Sequence, residues 1–72
     1  MRVYGITVSD EAQKAALDAL PYIFKACDLV MALEAQGVRK NAAYRGADRM
    51  LQKLRKAGVI VWVAERKEWR HV

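Results

Sequence analysis

The residues best able to do chemistry in this sequence are cations and amides set at helical spacing. Arg45, Arg49, Gln52 and Lys56 follow one another at i, i+4, i+7 and i+11, which puts them on one stripe of an α-helix. Just ahead of them stand Arg39, Lys40 and Asn41. Such a set can address a nucleic acid: Arg forks onto the edge of guanine, Asn or Gln pairs with adenine, and Lys brings a point charge to phosphate. The same residues also make an ordinary solvated helix face, since Arg, Lys and Gln are good helix formers. What favours a polyanion is the scarcity of acids, because Asp48 alone interrupts the cations between Arg39 and Lys56.

Three further features bear on that stripe. Arg39, Lys40 and Asn41 precede the helix, where a phosphate can dock on the free amides of its first turn, although a polar turn without a partner has the same composition. Tyr44 falls at the edge of the polar face, able to touch a sugar or a thymine methyl, or to sit half-buried as a core aromatic. Arg66 and Lys67 fall in a charged turn that can reach a phosphate strand or merely keep the surface soluble.

Other chemistries are excluded by what is missing. One cysteine, Cys27, and one histidine, His71, make neither a disulfide framework nor a zinc site. Glycines at positions 5, 37, 46 and 58 are too dispersed for a phosphate-cradling loop, and no nucleophile–base set or carboxylate pair is suggested. Asp10 and Glu11 are adjacent, but at a helix start, where the dipole favours acids. We expect no enzyme activity, no metal, no cofactor and no small-molecule ligand.

The charge is segregated. Residues 1–36 carry three cations against five acids, net −2, and residues 37–72 carry ten against three, net +7. An uneven field of this kind is the footprint of a polyanion-binding surface. Seventy-two residues support one domain with one modest core. No stretch approaches the roughly 20 apolar residues of a membrane span, and no secretory leader is visible. The expectation is a soluble, cytoplasmic protein.

The elements that must position the cations follow from periodicity. Val3–Val8, interrupted by Gly5, reads as a short strand or ordered arm within residues 1–9. Asp10 with Gln13 resembles a capping box, and Ala12, Ala15, Ala16, Ala19 and Leu20 give a helical apolar stripe that Pro21 should end. A second helix is expected from Pro21 or Tyr22 to Gln36, with Ile23, Ala26, Cys27, Val30 and Leu33 facing inward and Gly37 closing it. Cys27 is then an inert, packed thiol. Asn41 is the expected N-cap of a third helix that buries Ala43, Ala47, Met50, Leu51 and Leu54 and stops at Gly58. Val59–Ala64 and Trp69–Val72 read as a terminal hairpin. A two-residue loop would set Trp62 opposite His71 and Ala64 opposite Trp69, with both indoles on one face as core or edge-covering anchors.

The chain thus reads as three helices, the last pair separated by a turn after Gly37, followed by a hairpin; from Leu29 to Val72 a helix ends in a glycine, a basic helix follows, and a hairpin with a basic tip comes last. The run Leu54-Arg55-Lys56-Ala57-Gly58-Val59-Ile60 marks the junction of helix and hairpin. In this pattern the chain resembles the winged helix-turn-helix domains of bacterial repressors and phage regulators over about residues 22–72. The stretch from Gly37 to Gly58 is about a helical turn longer than that family's usual pattern. The resemblance implies an α+β, mainly α fold spanning 1–72 as one domain. It further implies a third helix entering the major groove of double-stranded DNA and a wing touching the backbone beside it, in a regulator of transcription or recombination. An alternative within the same fold is a protein-docking or homodimerisation module, in which the edge formed by Val59, Val61 and Val63 pairs with another chain.

Overall fold

A computed structural model describes all residues from Met1 to Val72. The order is β1 (Arg2–Val3), β2 (Ile6–Thr7), α1 (Asp10–Asp18), β3 (Ile23–Phe24), α2 (Ala26–Ala35), α3 (Lys40–Lys56), β4 (Ile60–Val63) and β5 (Glu68–His71). Half of the chain is helical, and the strands make two antiparallel sheets, β1–β2 and β3–β5–β4. The fold is therefore α+β with three helices. No helix is long and apolar enough to cross a membrane.

Two identical helix endings set the course of the chain. At the end of α2 the N–H of Val38 donates to the Leu33 carbonyl at 3.2 Å and that of Gly37 to Glu34 at 2.9 Å, with Gly37 at φ +89°. This is a Schellman motif, and its left-handed residue is one that only glycine occupies without strain. The end of α3 repeats it, with Val59 donating to Leu54 at 3.0 Å and Gly58 to Arg55 at 3.1 Å. The first motif turns the chain into α3, and the second turns it into the hairpin. Because α3 runs for 17 residues, it takes up the extra turn noted between Gly37 and Gly58.

The core lies where the three helices meet the sheet. Phe24, Leu29, Leu33 and Val8 are its largest fully buried side chains, joined by Val30, Met50, Leu51 and Ile60. The inner face of α3 is made of small residues, Ala42, Ala43 and Ala47, with Gly46 buried between them. A Cβ on Gly46 would meet the Met1 Cε at 3.2 Å and the Leu33 Cδ1 at 3.7 Å, so α2 and the N-terminal hairpin both approach α3 closely there.

Several boundaries differ from the sequence expectation. Ser9, not Asp10, caps α1: its Oγ accepts the Ala12 N–H at 3.1 Å, while the Gln13 amide donates to the Val8 carbonyl at 2.9 Å. Val3 and Val8 belong to a true hairpin, with Tyr4 and Gly5 both at positive φ in its two-residue turn, the geometry that matches strand twist. The second helix does not begin at Pro21 or Tyr22. Ile23 and Phe24 instead pair with Arg70 and Trp69 of β5, and α2 starts at Ala26, where the Asp28 carboxylate accepts the Lys25 N–H at 2.8 Å. With that start, Leu29, Val30 and Leu33 set the buried face and Cys27 is exposed, which corrects its expected burial.

The terminal hairpin has a four-residue loop, Ala64–Lys67, closed by Lys67 at φ +53°. Its register therefore sets Trp62 opposite Trp69 and Ile60 opposite His71, not Trp62 opposite His71. The two indoles still share a face, at 5.1 Å between ring centroids. His71 lies on the same face and packs against the Phe24 ring at 5.2 Å.

Truncating a fully buried leucine that joins α2 to α3 should remove much of the stability of so small a core. Leu33→Ala is expected to cost about 2–5 kcal/mol, and Leu54→Ala, only partly buried, measurably less. Urea denaturation of the two variants checks this, and equal losses would contradict the placement of Leu33 at the helix junction.

Candidate nucleic-acid interface

The polar face of α3 is built by subtraction. On a wheel of about 100° per residue, Ala43, Ala47, Met50, Leu51 and Leu54 turn toward α1, α2 and the sheet. Ala42 and Gly46, further round the helix, are covered by the N-terminal hairpin. What remains free is an arc on which Asn41, Tyr44, Arg45, Asp48, Arg49, Gln52 and Lys56 are all exposed. Arg45, Asp48, Arg49, Gln52, Lys53 and Lys56 border one shallow concavity of about 370 Å³ with no apolar residue in its lining. Asp48 takes part in no ion pair, and the sole salt bridge in the molecule is Arg70 with Glu68 on the sheet, at 3.2 Å. The cations of α3 thus stand in no ion pair, and Asp48 is the one acid among them.

Each expected residue has a definite place. Arg39 is the N-cap of α3 and provides no side-chain cap; Lys40 and Asn41 are the first two helical residues. Asn41 is therefore inside the helix instead of capping it, with its Oδ1 accepting the Ala42 N–H at 2.9 Å. The cap position falls to Arg39 because the short turn after Gly37 delivers the chain into the helix two residues early. With no acid in its first turn, α3 presents a positive end flanked by two cations, a setting that suits an anion. Tyr44 is 57% exposed, so it belongs to the polar arc and not to the core.

Arg49 has a second attachment. Its Nη1 donates to the Arg2 carbonyl at 2.7 Å, which ties β1 to α3 and uses one of the five guanidinium donors. The N-terminal hairpin thus forms one wall of the arc. The β4–β5 hairpin forms the other, carrying exposed Arg66 and Lys67 at its tip. The expected residues of α3 come together on one face, and the tip residues stand apart from it on a separate element.

Sequence periodicity alone did not single out Lys53, Arg55 or Lys25. Lys53 follows Arg49 by four residues and joins the same concavity. Arg55 and Lys25 meet elsewhere, in an open groove of about 610 Å³ between the start of α2, the middle of α3 and the terminal hairpin. No periodic signal unites those segments; the pairing of β3 with β5 does. Part of the basicity also has a local role, because Lys53, Arg55 and Lys56 occupy the last turn of α3, where cations complement the helix dipole.

The chain matches no family model, no curated protein and no solved structure.

Because the Arg49 hydrogen bond is exposed, its loss should loosen the N-terminal hairpin without unfolding the domain. Arg49→Ala is expected to speed amide exchange at Val8, whose N–H donates to the Met1 carbonyl at 2.6 Å, while global stability falls by no more than about 1 kcal/mol. Unchanged exchange at Val8 would show that the hairpin holds without Arg49.

Proposed function

We propose that this protein is a winged helix-turn-helix DNA-binding protein that lays α3 in a major groove and sets the β4–β5 tip on the neighbouring backbone, as a regulator of transcription or recombination does. The observation that carries the reading is the polar arc of α3, rich in cations that stand in no ion pair, between two hairpins. A helix of 17 residues is about 26 Å long, and a major groove about 12 Å wide accepts such a rod. Arg45 and Arg49 offer forked donors to base edges, Asn41 and Gln52 offer paired donor and acceptor groups, and Arg39, Lys40 and Lys56 offer charge to phosphate. The order of three helices, a tight turn and a terminal hairpin supports the winged-helix resemblance. The strand β3 adds to that hairpin a third strand, which braces the wing against the helices.

A second reading, docking or pairing with another chain, is favoured by one observation. The outer face of the three-stranded sheet carries Ile23 and Val61, 44% and 47% exposed, and β4 is an edge strand with no charged residue, the kind of edge that pairs readily.

Duplex binding is expected to weaken steeply with salt: neutralising about four to six phosphates gives a log–log slope of roughly −4 to −5. Failure to bind any duplex at about 50 mM salt would remove the DNA reading.

Loss of helix and loss of wing should look different. Arg45→Ala should weaken a preferred site, selected from a random duplex pool, by about 1–3 kcal/mol with little change in binding to scrambled duplex. Arg66→Ala with Lys67→Ala should weaken all duplexes alike and flatten the salt slope by about two units. Titration of each variant against both duplexes at two salt concentrations separates them. The reverse pattern would mean that the hairpin reads the bases.

A further inference from the structure

The groove between α2, α3 and the terminal hairpin is chemically unlike the polar arc beside it. Its floor is apolar and aromatic, formed by Leu51 and by Trp62 and Trp69. The two rings lie 5.1 Å apart, tilted by 55°, and Trp62 keeps 43% of its surface exposed. Around that floor stand three cations, Lys25, Arg55 and Lys67, and one carboxylate, Asp48. Indole is among the most costly side chains to leave in water. Here Trp62 occupies the edge strand of the sheet and remains half open to solvent inside a basic rim.

We propose that this groove binds single-stranded nucleic acid, with an unstacked base laid on the Trp62 indole and its flanking phosphates held by Lys25, Arg55 and Lys67. The chemistry is complementary in both of its parts. A π-face accepts any base, giving affinity that tolerates sequence, and the surplus of cations tracks the backbone. The volume of about 610 Å³ falls within the range of about 300–1,000 Å³ that small-molecule-sized ligands occupy, enough for a nucleotide. Lys67 belongs both to this rim and to the wing tip, so a strand in the groove lies directly beside a duplex held by α3. The proposal deepens the DNA-binding reading but does not depend on the α3 contacts.

Both tryptophans of the chain lie in the groove, so indole emission, excited at wavelengths that tyrosine does not absorb, reports on it alone. The full chain is titrated with an eight-nucleotide oligothymidylate and with an abasic deoxyribose-phosphate chain of the same length and charge. The oligothymidylate is expected to quench the indole emission and to bind about ten-fold or more tighter than the abasic chain, the gain that a stacked base brings. Trp62→Ala should abolish that gain while Trp62→Phe, which keeps a ring, retains most of it, with circular dichroism checking that each variant is folded. Equal affinity for the two chains, no quenching, or a Trp62→Phe variant as weak as Trp62→Ala would overturn the proposal. So would an aromatic peptide of equal negative charge binding as tightly as the oligothymidylate. Arg45→Ala tells the two sites apart: it should lower affinity for the selected duplex and leave the oligothymidylate titration unchanged. Duplex binding without an oligothymidylate response would sink the groove alone, and the opposite result would sink the duplex reading alone.

Discussion

The close packing of small residues along α3 is the constraint on which the rest of the molecule depends. Ala42, Ala43 and Ala47 are fully or almost fully buried, and Gly46 takes the Met1 and Leu33 side chains within van der Waals distance of where a Cβ would stand. Large side chains at these positions would hold α2 and the N-terminal hairpin away and leave voids, which cost stability in proportion to their size. Small ones let α2 and the N-terminal hairpin lie close against the buried side of α3. The remaining arc is left to charged residues, and its width is set by that packing.

The hairpins at either side of the arc are held by different means. The N-terminal one is fastened by main-chain pairing of Met1 with Val8, by the Arg49 guanidinium on the Arg2 carbonyl, and by the buried Val3 and Val8 side chains, Val8 lying within the core itself. The C-terminal one is part of a three-stranded sheet whose inner face carries Phe24, Ile60, Trp69 and His71 into or beside the core. Both walls are thus anchored by buried side chains.

Much of this was legible in the sequence, for identifiable reasons. The third helix is long and strongly periodic, so both its buried set from Ala43 to Leu54 and its polar stripe could be read directly. Gly37 and Gly58 announced their own chain reversals. What misled was the segment after Pro21. Ile23, Ala26, Cys27 and Val30 fit a helical period, yet Ile23 and Phe24 are a strand because β5, more than forty residues later, supplies their partners. A pairing so distant in sequence leaves no local trace, and the misplaced start carried Cys27 onto the wrong face. The Trp62–Trp69 register failed for a related reason: it depends on loop length, and Lys67 in a left-handed conformation is not a residue that advertises such a turn. The aromatic groove was invisible because its walls come from three separate parts of the chain.

In the proposed complex the arc of α3 between the two hairpins is the surface that meets DNA. Amide chemical-shift mapping of the intact protein during titration with a short duplex tests it most directly. The account predicts that the largest changes fall on Arg39–Asn41, on the exposed positions from Tyr44 to Lys56, and on Ala64–Lys67, with the outer sheet face at Ile23 and Val61 unmoved. Changes centred on Ile23, Val61 and the β4 edge, with α3 silent, would contradict it.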